Sequence, residues 1–293
     1  MSIDEKPTIG PPTNQHDSNH DDVAPPQAWD AIAAGYDRNV APGEEPVARY
    51  ALRLIGLQAD ERLLDVAAGT GGLSLPAARL GAEILATDWS PAMISQLESH
   101  VRAEGLTRAS GRVMDAHRLE LDDDGFDVVT SQFGVMLVPD QLDALREMVR
   151  VAKPGGRVLI IAYGPPAEFE ALQFFVAAVQ VVAPEFGGVP DDPPPLEFQV
   201  SDPAVLRARL VEAGLHDVRV DSTQQERVEF TDGADCWSWM ISSNPIAGMI
   251  IGELSSDQQA SAREVLHGMI RERAAGEALA VLTAPLNIGT GRK

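Results

Sequence analysis

The 293-residue chain carries 44 Asp plus Glu against 23 Lys plus Arg, a formal net charge of −21. Such acidity repels phosphate backbones and anionic leaflets, and no local basic patch offsets it; nucleic acid and membrane surfaces are therefore excluded as main partners, and a small molecule is expected. With 44% hydrophobic residues the chain can still bury a sizeable core. A single cysteine, Cys236, leaves no intramolecular disulfide and no cysteine-cluster metal site, and no metal is expected. There is no apolar signal core and no apolar run near the ~18 residues of a membrane helix, so the expectation is a cytoplasmic protein. A homodimer stays open.

Residues 1–26 are acidic and proline-rich and read as a disordered tail, with His16 and His20 as solvated residues rather than metal ligands. Order is expected from Trp29, where Trp29, Ile32, Ala33 and Tyr36 follow helical spacing, and a second helix from Glu44 to Leu57. From Arg62, apolar runs at Leu63–Ala67, Glu83–Thr87, Gly111–Met114, Phe126–Ser131 and Arg157–Tyr163 alternate with helical stretches at Gly72–Gly81, Pro91–Gly105 and Pro139–Ala152. That alternation predicts a doubly wound α/β domain with a parallel sheet buried on both faces. After Tyr163 it stops. Residues 166–183 read as an apolar helix, Pro184–Pro203 as an irregular loop holding Pro193, Pro194 and Pro195, and Pro203–Ala213 as a helix leading to Val218–Val220 and Arg227–Phe230. Helices around Ala234–Ser242 and Ser256–Ala275 precede a last strand, Leu279–Ile288. The predicted plan is a ligand-binding core at 27–163, cap insertions at 164–202 and 232–276, and completing strands at 203–231 and 277–293.

The strongest local signal is Asp65-Val66-Ala67-Ala68-Gly69-Thr70-Gly71-Gly72, a strand that runs into a glycine-rich turn and a helix. Glycines let the backbone approach a ligand, and the helix start presents unpaired N–H groups. A dinucleotide fingerprint needs a third glycine where Ser74 stands, and no Gly-Lys-Ser/Thr follows for a P-loop. Asp65 repels a pyrophosphate and suits a cationic ligand. Asp88, at the end of the next strand, is placed to accept from a ribose diol, and Asp115, at the end of the third, from an exocyclic adenine amine.

These residues, with Phe126-Asp127-Val128-Val129-Thr130-Ser131-Gln132-Phe133-Gly134-Val135 and Lys153-Pro154-Gly155-Gly156, resemble class I S-adenosylmethionine-dependent methyltransferases, closest in pattern to the ubiquinone and menaquinone biosynthesis C-methyltransferases. The match covers roughly residues 29–163. Ala67 departs from the glycine usual in the family. The resemblance implies a Rossmann-like seven-stranded sheet, mostly parallel, whose last strand is antiparallel, under a helical cap made by insertions. It implies S-adenosyl-L-methionine as cofactor, with Ala67, Gly69, Thr70 and Gly71 facing its methionine part and ribose. Asp65 would then lie near the amino group, Asp88 on the ribose hydroxyls, Trp89 and Met93 beside the adenine, and Asp115 and Ala116 on the adenine edge. Ser131 and Gln132 would border cofactor and acceptor, and Tyr36, in an N-terminal Tyr-Asp element, would close over the cofactor.

Methyl transfer from a sulfonium asks the protein mainly for alignment and exclusion of water. The sequence offers no clear base; His117, Tyr36 and Gln132 are the candidates. Aromatic residues of the insertions, among them Phe169, Phe175, Phe198, Trp237 and Trp239, predict an apolar pocket for a small, partly hydrophobic acceptor that is polyketide-, quinone- or terpenoid-like, methylated on carbon or oxygen. Two other readings are a non-catalytic S-adenosylmethionine- or S-adenosylhomocysteine-binding protein and a nicotinamide-dependent oxidoreductase, the latter opposed by Asp65 and the missing glycine.

Overall fold

A computed structural model of the protein describes residues 25–293. Nearly all of the expected tail, with His16 and His20, lies outside the described residues. Pro26 already opens α1 (Pro26–Asn39), earlier than expected, because proline's fixed φ suits the first helical turn. For the same reason α2 (Ala41–Ile55) starts three residues before Glu44; Gly56, left-handed at φ 68°, ends it.

The core alternates as the apolar runs require: β1 (Arg62–Val66), α3 (Ser74–Arg79), β2 (Glu83–Asp88), α4 (Pro91–Glu104), β3 (Ala109–Val113), β4 (Phe126–Gln132), α5 (Gln141–Val151) and β5 (Ala152–Tyr163). These five strands run parallel. β3 begins before the expected Gly111 because it is a solvated edge strand, with Ser110 and Arg112 in place of an apolar run. β5 takes in the Lys153–Gly156 segment, since Ala152 pairs with Phe126 across a bulge.

The remainder comprises α6 (Glu170–Val182), α7 (Pro203–Glu212), β6 (His216–Asp221), β7 (Gln225–Phe230), α8 (Gly233–Ser243), α9 (Pro245–Gly252), α10 (Ser256–Ala274) and β8 (Ala280–Arg292). The sheet order is β3-β2-β1-β4-β5-β8-β6, with β7 also pairing β8. It thus has eight strands rather than seven, but the additional one, β7, continues β6 along the same side of β8. β6 pairs with Ile288–Arg292, and after a break at 222–224 β7 pairs with Ala280–Pro285. β8 is antiparallel to all its neighbours, as expected, and is longer than the expected Leu279–Ile288. α9 was unforeseen: Asn244 ends α8, and its side-chain oxygen accepts from Ile246 N–H to cap α9, while Pro245 takes the first helical position.

β8 joins two apolar cores. Leu286 and Ile288 pack with the parallel strands, α2, α5 and α7. Ala280, Leu282 and Ala284 pack with Phe230 of β7 and with α6, α8, α9 and α10. The second cluster is the cap, and β7 with the first half of β8 makes its floor. Phe230 is 1% exposed and lies edge-on to Trp239, 6.1 Å between centroids. Phe230→Ala is expected to cost about 3–5 kcal/mol through the lost contacts and the cavity left behind, measured by chemical denaturation.

Candidate active site

Strand order reverses between β1, which leads to β2 and β3, and β4, which leads to β5. At such a point the loops leave in opposite directions and open a crevice at the carboxyl ends of the strands. Here the crevice is built from two left-handed turns. After β1, Ala67 (φ 53°), Gly69 (φ 55°) and Gly71 (φ 103°) turn the chain sharply; after β4, Phe133 does so at φ 57°. Gly134 then fits against the first turn so closely that a Cβ there would stand 2.7 Å from the Ala67 carbonyl oxygen. Alanine in this conformation costs about 1–2 kcal/mol. Ala67→Gly, the residue the family usually carries, is therefore expected to raise stability by about 1 kcal/mol in thermal or chemical unfolding.

The three expected aspartates form a staircase rather than a level row. Asp65 pairs with Ala86, two residues short of Asp88; Asp88 pairs with Val113, two residues short of Asp115. A step of two keeps Asp65 and Asp88 on one face of the sheet. Asp115 lies beyond β3, in a turn closed by a bridge to Arg118. Exposure rises along the steps: Asp65 is fully buried, Asp88 8% exposed, and the Asp115 side chain 55% exposed. The Asp65 carboxylate accepts from Ser74 Oγ (2.6 Å) and Thr130 Oγ1 (2.9 Å). That of Asp88 accepts from the N–H groups of Gly69 and Ser90, both at 2.9 Å, so it braces the glycine turn.

These residues line a cavity of about 400 Å³. Of the expected site residues, Tyr36, Asp65, Ala67, Gly69, Asp88, Trp89, Met93, Asp115, Ala116, His117 and Gln132 reach its wall. Thr70, Gly71 and Ser131 stand back from it. Ser131 accepts from Val135 N–H and holds the turn after β4, and Gly71 provides the bend, packed against Leu75. Both ring nitrogens of His117 are engaged, Nδ1 with Asp115 (2.8 Å) and Nε2 as acceptor from Asp140 N–H (3.3 Å).

The sequence reading missed Glu44. It projects from α2, 4% exposed, to the back of the crevice, where it accepts from the Tyr36 hydroxyl and, weakly, from Gln132 Nε2 at 3.4 Å. A Cβ on Gly72 would collide with it. Its place on an amphipathic helix gave one signal, an acid among the positions that face the core. Gln132 Oε1 and Thr70 Oγ1 are buried with no partner among the described residues. Glu197, in a short turn Leu196–Phe198, is a fifth carboxyl on the wall. Among the described residues that line the cavity there are five carboxyls and no lysine or arginine.

Desolvation decides how these acids titrate. Burial raises Glu44 to about 8, against hydrogen bonds from Tyr36 and Gln132 that pull it down. Burial also raises Asp65 and Asp88 to about 6 and Glu197 to about 7. Behind the wall Glu226, which accepts from the Tyr163 hydroxyl at 2.9 Å, is raised by burial to about 7. Such groups keep their protons in the folded chain after the unfolded chain has released them, so stability falls as pH rises through the folded values. Between about pH 4.5 and 8, each such carboxyl removes up to about 1.4 kcal/mol per pH unit within its own window. Thermal unfolding of the ligand-free protein should show this decline, and Glu44→Gln should make it shallower.

Residues 64–160 match the model of a methyltransferase domain. An uncharacterised protein of Mycobacterium tuberculosis is 38% identical over 118 residues, 40% of this chain and 43% of that protein. A demethylmenaquinone methyltransferase of Beutenbergia cavernae is 36% identical over 170 residues, 56% of this chain and 68% of that enzyme. The chain belongs to the class I S-adenosylmethionine-dependent methyltransferases. That membership sets aside the nicotinamide-dependent oxidoreductase. The chain spans about half the length of the first curated relatives it matches. The fold of the family extends through the cap: a Haemonchus contortus phosphoethanolamine N-methyltransferase 2, solved with S-adenosyl-L-methionine, aligns with a TM-score of 0.55 at 18% identity, over 92% of this chain and 56% of that one.

Proposed function

We propose that the chain transfers a methyl group from S-adenosyl-L-methionine to a small, partly hydrophobic acceptor, on carbon or oxygen. The observation that carries this reading is a cavity with five carboxyls and, among the described residues that line it, no lysine or arginine, continuous with an aromatic half under the cap. Carboxyls held above their ordinary range by burial are an environment that a cation relieves. The bound cofactor supplies an electrophilic methyl group on a positively charged sulfur. Asp88 and the Gly69 turn would hold its ribose, with Trp89, Met93, Asp115 and Ala116 around the adenine. Glu44 and the unpartnered Gln132 Oε1 lie where an ammonium group would find acceptors, next to Gly72.

The chain's contribution to the reaction is alignment and dryness. Phe133 and Tyr163 stack at 4.6 Å, and Tyr163 lies 4.6 Å from Phe169, so aromatic faces wall the passage from the cofactor half to the cap and keep water from the reacting atoms. A non-catalytic binder would keep the same acidic pocket. Release of S-adenosylhomocysteine with members of a panel of phenols, quinones and polyketides supports transfer; its absence with all of them favours the binder. In calorimetric titration the chain should bind S-adenosylmethionine and not NAD, and Asp88→Ala should weaken that binding by about 1–3 kcal/mol, the range for unpaired buried hydrogen-bonding groups.

A further inference from the structure

Beyond Gln132 and Phe133 the cavity turns apolar. Its far half lies between α6, the 183–202 loop, α8 and α9, and among the described residues on that part of the wall Glu197 is the one that is charged. Three observations set this carboxylate apart. The first is its support. Gln141 donates from Nε2 to the carbonyl oxygens of Met136 and Leu196, at 2.8 Å each, which ties the turn carrying Glu197 to the turn that follows β4. Phe198, 4% exposed, anchors the other side. The carboxylate therefore hangs from backbone fixed against the boundary of cofactor and acceptor halves.

The second is its partner. Asn244 donates from Nδ2 to Glu197 at 2.6 Å, while its own oxygen is committed to Ile246 N–H. One N–H satisfies a fraction of a carboxylate's accepting capacity, and no cation among the described residues contacts it. The third is its surroundings: Phe169, Phe175 and Trp239 line the same half. A carboxyl kept in such a place costs desolvation unless a ligand supplies the missing donor.

Building on the methyltransferase reading, we propose that Glu197 is the specificity-determining residue of the acceptor half and holds an aromatic acceptor by accepting a hydrogen bond from its hydroxyl group. The ring lies against the aromatic wall and the hydroxyl points to the carboxylate. Asn244 positions that carboxylate from the opposite side, where α8 gives way to α9.

The test compares two probes of nearly equal shape, 1-naphthol and naphthalene. Their affinities for the full chain are measured by fluorescence titration with the cofactor half saturated by S-adenosylhomocysteine. The wild-type protein should prefer 1-naphthol by about tenfold or more, as a hydrogen bond to a charged acceptor allows. Glu197→Met should bring the two affinities within about twofold, and Glu197→Gln, which keeps an acceptor, should restore part of the preference. A role confined to holding the cap together would weaken both probes alike, and a preference unchanged in Glu197→Met would overturn the proposal. So would a Glu197-dependent preference for 1-naphthylmethylamine with none for 1-naphthol. Failure to bind S-adenosylhomocysteine would count against the methyltransferase reading instead, and the naphthol preference would then be read in its absence.

Discussion

Carboxyl groups confined within apolar walls, with no cation among the lining side chains, are the constraint to which the rest of this structure answers. Ionised carboxylates are poorly tolerated where water is scarce, so each is met by neutral donors. Hydroxyls of Ser74 and Thr130 face Asp65, backbone N–H groups face Asp88, the Tyr36 hydroxyl faces Glu44 and the Asn244 amide faces Glu197. These partners hold the acids in place without neutralising them. The positive charge that would favour their ionised forms is left to a ligand. A net charge of −21, which as a sum says only what the protein avoids, becomes informative once a handful of its acids are found inside.

Holding acids at the back of a crevice requires backbone at its front that comes close to the ligand, and the turns after β1 and β4 provide it. They touch through Gly134 and Ala67, and each carries a non-glycine residue in the left-handed region, Ala67 in one and Phe133 in the other. Asp88 ties the strained turn to β2 through the Gly69 N–H. The same aspartate is thus both a cavity-lining group and a fastener of the turn beside it, which couples the shape of the cavity to local folding. Strain of this kind persists where the surroundings over-determine the backbone.

How far the sequence discloses this arrangement depends on the range of the interaction involved. The alternation from Leu63 to Tyr163 is a local pattern imposed by strands buried on both faces, and its elements lie where the pattern put them. Strand β3 was misplaced at its start because an edge strand such as Ser110–Arg112 has a solvated face and no apolar run. The glycine turn and its aspartates were legible because strand, turn and helix follow one another in the chain. Glu44 and Glu197 were not, since their meaning comes from partners remote in sequence: Gln132 for the first, and for the second Asn244, with Gln141 bracing its turn. His117 shows the converse. One of three candidates for a base in a sequence that offers no clear one, it has Asp115 beside it in the chain on Nδ1 and Asp140 from another segment on Nε2.

The long strand β8 has a consequence for how the cap is held. One half of it belongs to the sheet and the other to the floor of the cap, and β6 with β7 follows it on one side almost from end to end. A strand stitched into two cores in this way cannot bend at its middle without breaking ladder hydrogen bonds, so the floor of the cap is bound to the sheet through backbone. The upper part of the cap rests on side-chain contacts instead, among them the Glu197–Asn244 hydrogen bond that joins the 183–202 loop to the junction of α8 and α9.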